Sequence, residues 1–161
     1  MVLAVGAVLA ASAAPSLRGL IDTRRLDRAA TALAADIQFV RTEAVARNQA
    51  LRLSWHTLTE ATCYVIHTGA AAQCSCNPTG PAQCIGGAQE LRTVVLPAAD
   101  RVRLLANVNS VLFDPLHGTS SPTGTFRLIG TDARAVHHIV NVMGRVRSCS
   151  PQAAVPGYRA C

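Results

Sequence analysis

LDRAATALAADIQFVRTEA, residues 26–44, sets Leu26, Ala30, Leu33, Ile37, Val40 and Ala44 at gaps of 4, 3, 4, 3 and 4. Such gaps follow the 3.6-residue turn and lay one apolar stripe along a helix. The opposite face is read as Arg24, Arg28, Asp36, Arg41 and Arg47. From Ser16 to about Asn48 only Gly19 punctuates the run, so an amphipathic helix is expected over residues 18–49. Upstream, MVLAVGAVLAASAAPSL (residues 1–17) has no charge before Arg18 and is apolar all round. It is just short of the roughly 20 residues that cross a bilayer as a helix. A secretory signal would use Ala11-Ser12-Ala13 for cleavage but calls for a basic segment ahead of its apolar core. A buried core helix calls for a stripe rather than an all-round apolar surface. Continuity with the amphipathic run favours a membrane half of one long helix, shortened at its start, in which Pro15 bends the axis without ending it.

The remainder, residues 50–161, reads as one β domain. Segments 51–57, 62–68, 90–97, 101–108, 110–114, 124–130 and 134–148 are rich in β-branched residues, often alternate, and are separated by Gly, Pro, Asn or Ser clusters. Short strands at this spacing fit a sandwich or a strongly bent antiparallel sheet. Between Gly69 and Gly87 lies a long loop with three cysteines, which pairing is expected to order. The fold class is therefore α+β: a long N-terminal helix, apolar then amphipathic, packed on an antiparallel β-sandwich-like domain.

Composition narrows the function. Half of the 161 residues are apolar and 15% are charged, enough for a real core and too apolar for a disordered chain. The formal charge is +6, and all fifteen basic residues are Arg. That balance favours acidic partners such as nucleic acid or phospholipid headgroups. Six cysteines (Cys63, Cys74, Cys76, Cys84, Cys149 and Cys161) point to an oxidising compartment. Six allow about 15 connectivities. Zinc held by Cys74, Cys76, Cys84 and His67 is the rival, but the usual four-ligand spacing is missing. No cofactor is expected.

Catalysis finds little support. His137 and His138 are neighbours in an expected strand and so face opposite sides. His56, His67 and His117 lack a nearby acid–nucleophile pattern, and Gly86-Gly87 lacks the Lys of a phosphate loop. The arginine pair in GRVRSCS (144–150) is the stronger signal. On a single strand over 134–148, Val136, His138, Val140, Val142 and Val146 form the apolar face. Arg145 and Arg147 share the other with His137, Asn141 and Met143. Two residues along a strand is about 6.8 Å, near twice the ~3.4 Å axial step of one DNA strand. Gly144 removes a side chain beside them, which lets a ligand's backbone approach. Cys149 and Cys161 are expected to pair, holding Arg159 nearby; the other disulfides lie among Cys63, Cys74, Cys76 and Cys84. Charges that keep an exposed edge from pairing with other strands are the plainer alternative.

The long helix ahead of a small β domain resembles the plan of type IV pilins and type II secretion pseudopilins. FVRTEAVARNQALRL (39–53) is similar to the helix end and first strand of the FimT/GspH pseudopilin family. GTFRLIG followed by AVHHIVNVMGRVRSC is similar to that family's closing strands. The family's basic leader, cleavage site and early glutamate are not in this sequence. The resemblance implies a non-enzymatic subunit, held as a single-pass protein in the bacterial inner membrane with its domain in the periplasm, then built into a pilus or pseudopilus through helix contacts with other pilins. For the FimT type it also implies duplex DNA held non-specifically at the phosphate backbone by Gly144, Arg145, Arg147 and Arg159 during natural transformation. The GspH type implies the same fold with no DNA role. A third expectation, from another class, is an exported disulfide-bonded enzyme or binding module.

Overall fold

In the computed structural model, backbone is described for residues 2–161 and side chains for residues 17–161. Apart from Leu17, the membrane reading of residues 1–17 rests on side chains outside the described residues. No helix among the described residues is long and apolar enough to cross a membrane.

One helix, α1 (Val2–Ala46), precedes everything else. Its 45 residues correspond to about 68 Å at ~1.5 Å per residue. It stops where Asn48 enters the left-handed region at φ 48°, a conformation Asn tolerates, and Gln49 N–H closes on the Ala44 carbonyl at 3.0 Å. Eleven strands follow: β1 (Leu51–Leu58), β2 (Ala61–His67), β3 (Cys74–Ser75), β4 (Gln83–Cys84), β5 (Glu90–Pro97), β6 (Arg103–Ala106), β7 (Ser110–Phe113), β8 (Ser120–Ser121), β9 (Gly124–Ile129), β10 (Ala135–Val140) and β11 (Val146–Cys149). They form a five-stranded sheet in the order β5-β2-β1-β7-β8, a four-stranded sheet in the order β11-β10-β9-β6, and a small β3-β4 hairpin. All the paired strands run antiparallel.

The stripe of α1 does what its period requires. Leu26, Ala30, Leu33, Ile37, Val40 and Ala44 are all buried and join one core with Leu51, Leu53, Tyr64, Ile66 and Phe113 of the first sheet and Leu104, Phe126, Leu128, Val136 and Val140 of the second. The helix therefore supplies apolar surface to both sheets at once. This is a pilin-like α+β fold.

Two expectations are corrected. Asp36, read as a solvent-face residue, is 4% exposed. Its carboxylate accepts a 2.8 Å hydrogen bond from the Tyr64 hydroxyl and a second from Arg92, so specific partners on β2 and β5 outweigh its polarity. The segment 134–148 is not one strand. It folds into a hairpin, β10 and β11 joined by a turn over 141–145, which leaves Val142 exposed rather than on the buried face.

The loop between β2 and β5 is ordered by two bridges, Cys63–Cys76 and Cys74–Cys84, and the second staples β3 to β4. With these sulfurs in disulfides, Cys74, Cys76 and Cys84 offer no thiolate to zinc. His67 is likewise engaged, at 2.8 Å from both the Ser54 hydroxyl and the Thr68 carbonyl.

Candidate nucleic-acid interface

The β10–β11 turn determines where the arginine pair stands. Val140 pairs with Val146, and Asn141 N–H reaches the Arg145 carbonyl at 3.1 Å. Three residues, Val142, Met143 and Gly144, make the connection. Such loops end on a residue in the left-handed region, and Gly144 sits there at φ 67°. The Asn141 side-chain oxygen accepts from Arg145 N–H at 3.0 Å and sets the direction of the returning strand. The two arms share parity in this register, so Ile139 lies opposite Arg147 and both belong to the face turned away from the core. Arg145 and Arg147 are both exposed. The pair thus keeps a common face even though a turn, not a continuous strand, carries it.

Gly144 has a different role from the one its sequence position suggests. It is buried, and a Cβ there would lie 2.4 Å from the Gly118 carbonyl oxygen and 2.9 Å from Arg41 Cδ. The close approach is the chain's own. Arg41 Nε donates to that same Gly118 carbonyl at 3.0 Å, and Ser120 N–H and hydroxyl bond the Val142 and Asn141 carbonyls, so the turn rests on the end of α1 and the loop before β8. Gly144→Ala is expected to cost about 2 kcal/mol, from left-handed strain and overpacking together. In a thermal melt that is a drop of about 4–8 °C. A melting temperature equal to the parent's would mean the loop before β8 yields freely.

The C-terminal tail is tied to the end of β11. Cys149 is bonded to Cys161, Ser150 bridges Ala160 in parallel, and Ser150 N–H donates to the Arg159 carbonyl at 2.8 Å. Val155 is buried, and the Tyr158 hydroxyl reaches Asp27 on α1 at 3.1 Å. Arg159 is exposed on this anchored segment.

Among the described residues, Arg145, Arg147 and Arg159 have no carboxylate partner and make no side-chain hydrogen bond, whereas Arg47, Arg92, Arg101 and Arg134 are held by Glu43, Asp36, Asp22 and Asp132. Two further arginines missed in the sequence, Arg127 on β9 and Arg103 on β6, are exposed on the same outer face. Their signal was there in the alternation of FRL and RLL, in which each Arg sits beside buried residues. His137, on this face opposite Arg127, is partly buried, and burial first and Arg127 second push its pKa below the usual histidine value. Its Nδ1 stands 3.8 Å from Cys161 Sγ.

The Ser54–His67 pair has hydrolase-like spacing, but Ser54 and His67 are 1% and 0% exposed, out of reach of any substrate. What the surface can do is present guanidinium groups to an anion with spaced charges.

A family model described as "Type II transport protein GspH" matches residues 29–144. Two crystal structures of the type IV minor pilin FimU from Pseudomonas aeruginosa (strain PAO1) are similar in fold, each with a TM-score of 0.54. One is 17% identical, covering 84% of this chain and 95% of that one; the other is 19% identical, covering 83% and 98%. Among curated proteins, none matches.

Proposed function

We propose, from the premise that this chain belongs to the GspH family of type II transport proteins, that it is a minor pilin-like subunit of the FimT kind that binds duplex DNA. Membership makes it a pilin-family structural protein, not an enzyme, that assembles with other pilins at the membrane or in a fibre. The finer reading is a single-pass anchor in the inner membrane through residues 1–17, a periplasmic domain, and later a place in a pilus whose outer surface catches DNA.

One observation carries the DNA reading: Arg145 and Arg147 stand exposed on one face and, among the described residues, no carboxylate neutralises them. A guanidinium is planar and always charged, so it matches a pair of phosphate oxygens. Arg159 on the disulfide-held tail adds a third charge. Contacts of this kind position a backbone without reading sequence. Three of them give weak binding with a slope of log K against log salt of about −2.7. Repeated copies along a fibre would compensate for the weakness.

Titrating the full chain, in non-ionic detergent, into a fluorescent 20-base-pair duplex and reading anisotropy tests this. Arg145→Gln with Arg147→Gln should weaken binding at least tenfold for any sequence while leaving the melting temperature within about 2 °C. The family description favours a second reading, a type II secretion pseudopilus subunit with no DNA role. A parent that shows no binding to the duplex would favour that reading over the first, while parental affinity in the double variant would remove Arg145 and Arg147 from the site.

A further inference from the structure

We infer that the DNA surface does not end at the C-terminal arginines but continues across the four-stranded sheet through Arg127 and Arg103, as a track for a double-stranded backbone. This rests on the DNA reading above and extends it to the whole outer face.

The pairing register fixes the layout. Arg147 lies beside Ile139, Arg127 beside His137, and Arg103 beside Ile129, so each arginine is displaced from the last by two residues along the strands. Arg145 precedes Arg147 by two residues on the same arm. With strands about 4.8 Å apart and a two-residue step of about 6.8 Å, the four form a diagonal about 25 Å long. That length covers about seven base-pair steps of ~3.4 Å.

Charge accounting separates this face from the rest of the molecule. Among the described residues, eight of the fifteen arginines make neither an ion pair nor a side-chain hydrogen bond. Arg18, Arg24 and Arg28 are on α1; Arg103, Arg127, Arg145, Arg147 and Arg159 are on the outer sheet face or the tail beside it. The other side chains that the register places on this face are Thr125, Ile129, Ala135, His137, Ile139, Leu105 and the disulfide-bonded Cys149, and none is acidic. None is Phe, Tyr or Trp either, so the face has no aromatic platform on which unpaired bases would stack, as single-strand binders require. Phosphates held apart by a duplex suit it better.

The test compares three double variants of the full chain in the same anisotropy assay over a range of salt. With Arg103 and Arg127 added to the three C-terminal arginines the parental slope should be about −4.5, and Arg103→Gln with Arg127→Gln should reduce it by about 1.8, two contacts' worth. Arg24→Gln with Arg28→Gln removes the same charge from α1 and should leave the slope at the parental value. If the Arg103/Arg127 variant keeps the parental slope while the Arg145/Arg147 variant loses binding, the track is wrong and the C-terminal site stands alone. A parent that fails to bind removes the DNA reading itself, and an Arg145/Arg147 variant that binds like the parent removes the C-terminal site from which the track is extended. Equal losses in the Arg24/Arg28 and Arg103/Arg127 variants would reduce the track to net charge. Tighter binding of a 20-mer single strand than of the duplex would overturn the assignment to double-stranded DNA.

Discussion

Asp36→Ala is expected to lower the stability of the folded chain by about 3 kcal/mol, the larger part of it from what the carboxylate leaves behind. Asp36 joins three elements: it accepts from Tyr64 on β2 and from Arg92 on β5 while riding on α1. Tyr64 is 1% exposed, and burial first, then the Asp36 charge, raises its phenol pKa far above the ordinary value. Without the carboxylate that hydroxyl is buried with no acceptor, the costly half of a broken hydrogen bond. Arg92 is less affected, because its side chain is 46% exposed and its guanidinium also sits 4.7 Å from the centre of the Phe39 ring. The ion pair itself therefore contributes little. Denaturant unfolding of Asp36→Ala, Tyr64→Phe and the double variant checks this. The double variant should be no less stable than Asp36→Ala alone, since removing the hydroxyl removes the orphaned donor. Additive losses would place the role of Asp36 elsewhere.

Asp36 also marks a limit of what the sequence can tell. The buried stripe from Leu26 to Ala44 was legible because periodicity is local: each apolar residue announces its face through its neighbours three and four positions away. A buried polar residue announces nothing, since its justification lies in Tyr64 and Arg92, 28 and 56 residues away. The same contrast holds at the candidate site. Alternation in GTFRLIG and AVHHIV places Arg127 and His137 outward from sequence alone, but their adjacency depends on register. The hairpin within 134–148 was hidden because Val142 and Met143, at its tip, are as apolar as the strands beside them. Only Gly144 signalled it. Arg145 and Arg147 kept a shared face under the wrong description because residues paired across the hairpin have the same parity, as His137 with Cys149 and Ile139 with Arg147 do.

Stability should fall as the solution is acidified from about pH 6.5 towards pH 4, and His138 should account for most of the fall. It is completely buried on β10, its Nδ1 is 2.8 Å from the Ser148 hydroxyl, and its Nε2 meets no hydrogen-bond partner among the described residues. Burial lowers its pKa to about 4; the nearby Ala30 carbonyl opposes this, and His137 adds to it. The folded state therefore holds His138 neutral where the unfolded chain would protonate it. Stability from this group is fully present above pH 6.5 and is lost progressively as pH falls through the window down to about 4, where the folded protein must also take up the proton. A displacement of that size amounts to about 3 kcal/mol across the window. His67, also buried, and His137, partly buried, are shifted in the same direction and add to the slope. Melting temperatures of the parent and of His138→Phe, measured from pH 7.5 to 4.0, decide it. The phenyl ring fills the same space without a titrating nitrogen, so the variant should lose much less stability over that range and retain the share due to His67 and His137. If both proteins fall in parallel, protonation elsewhere governs the acid response, and the buried face of β10 tolerates charge that its surroundings offer no means to solvate.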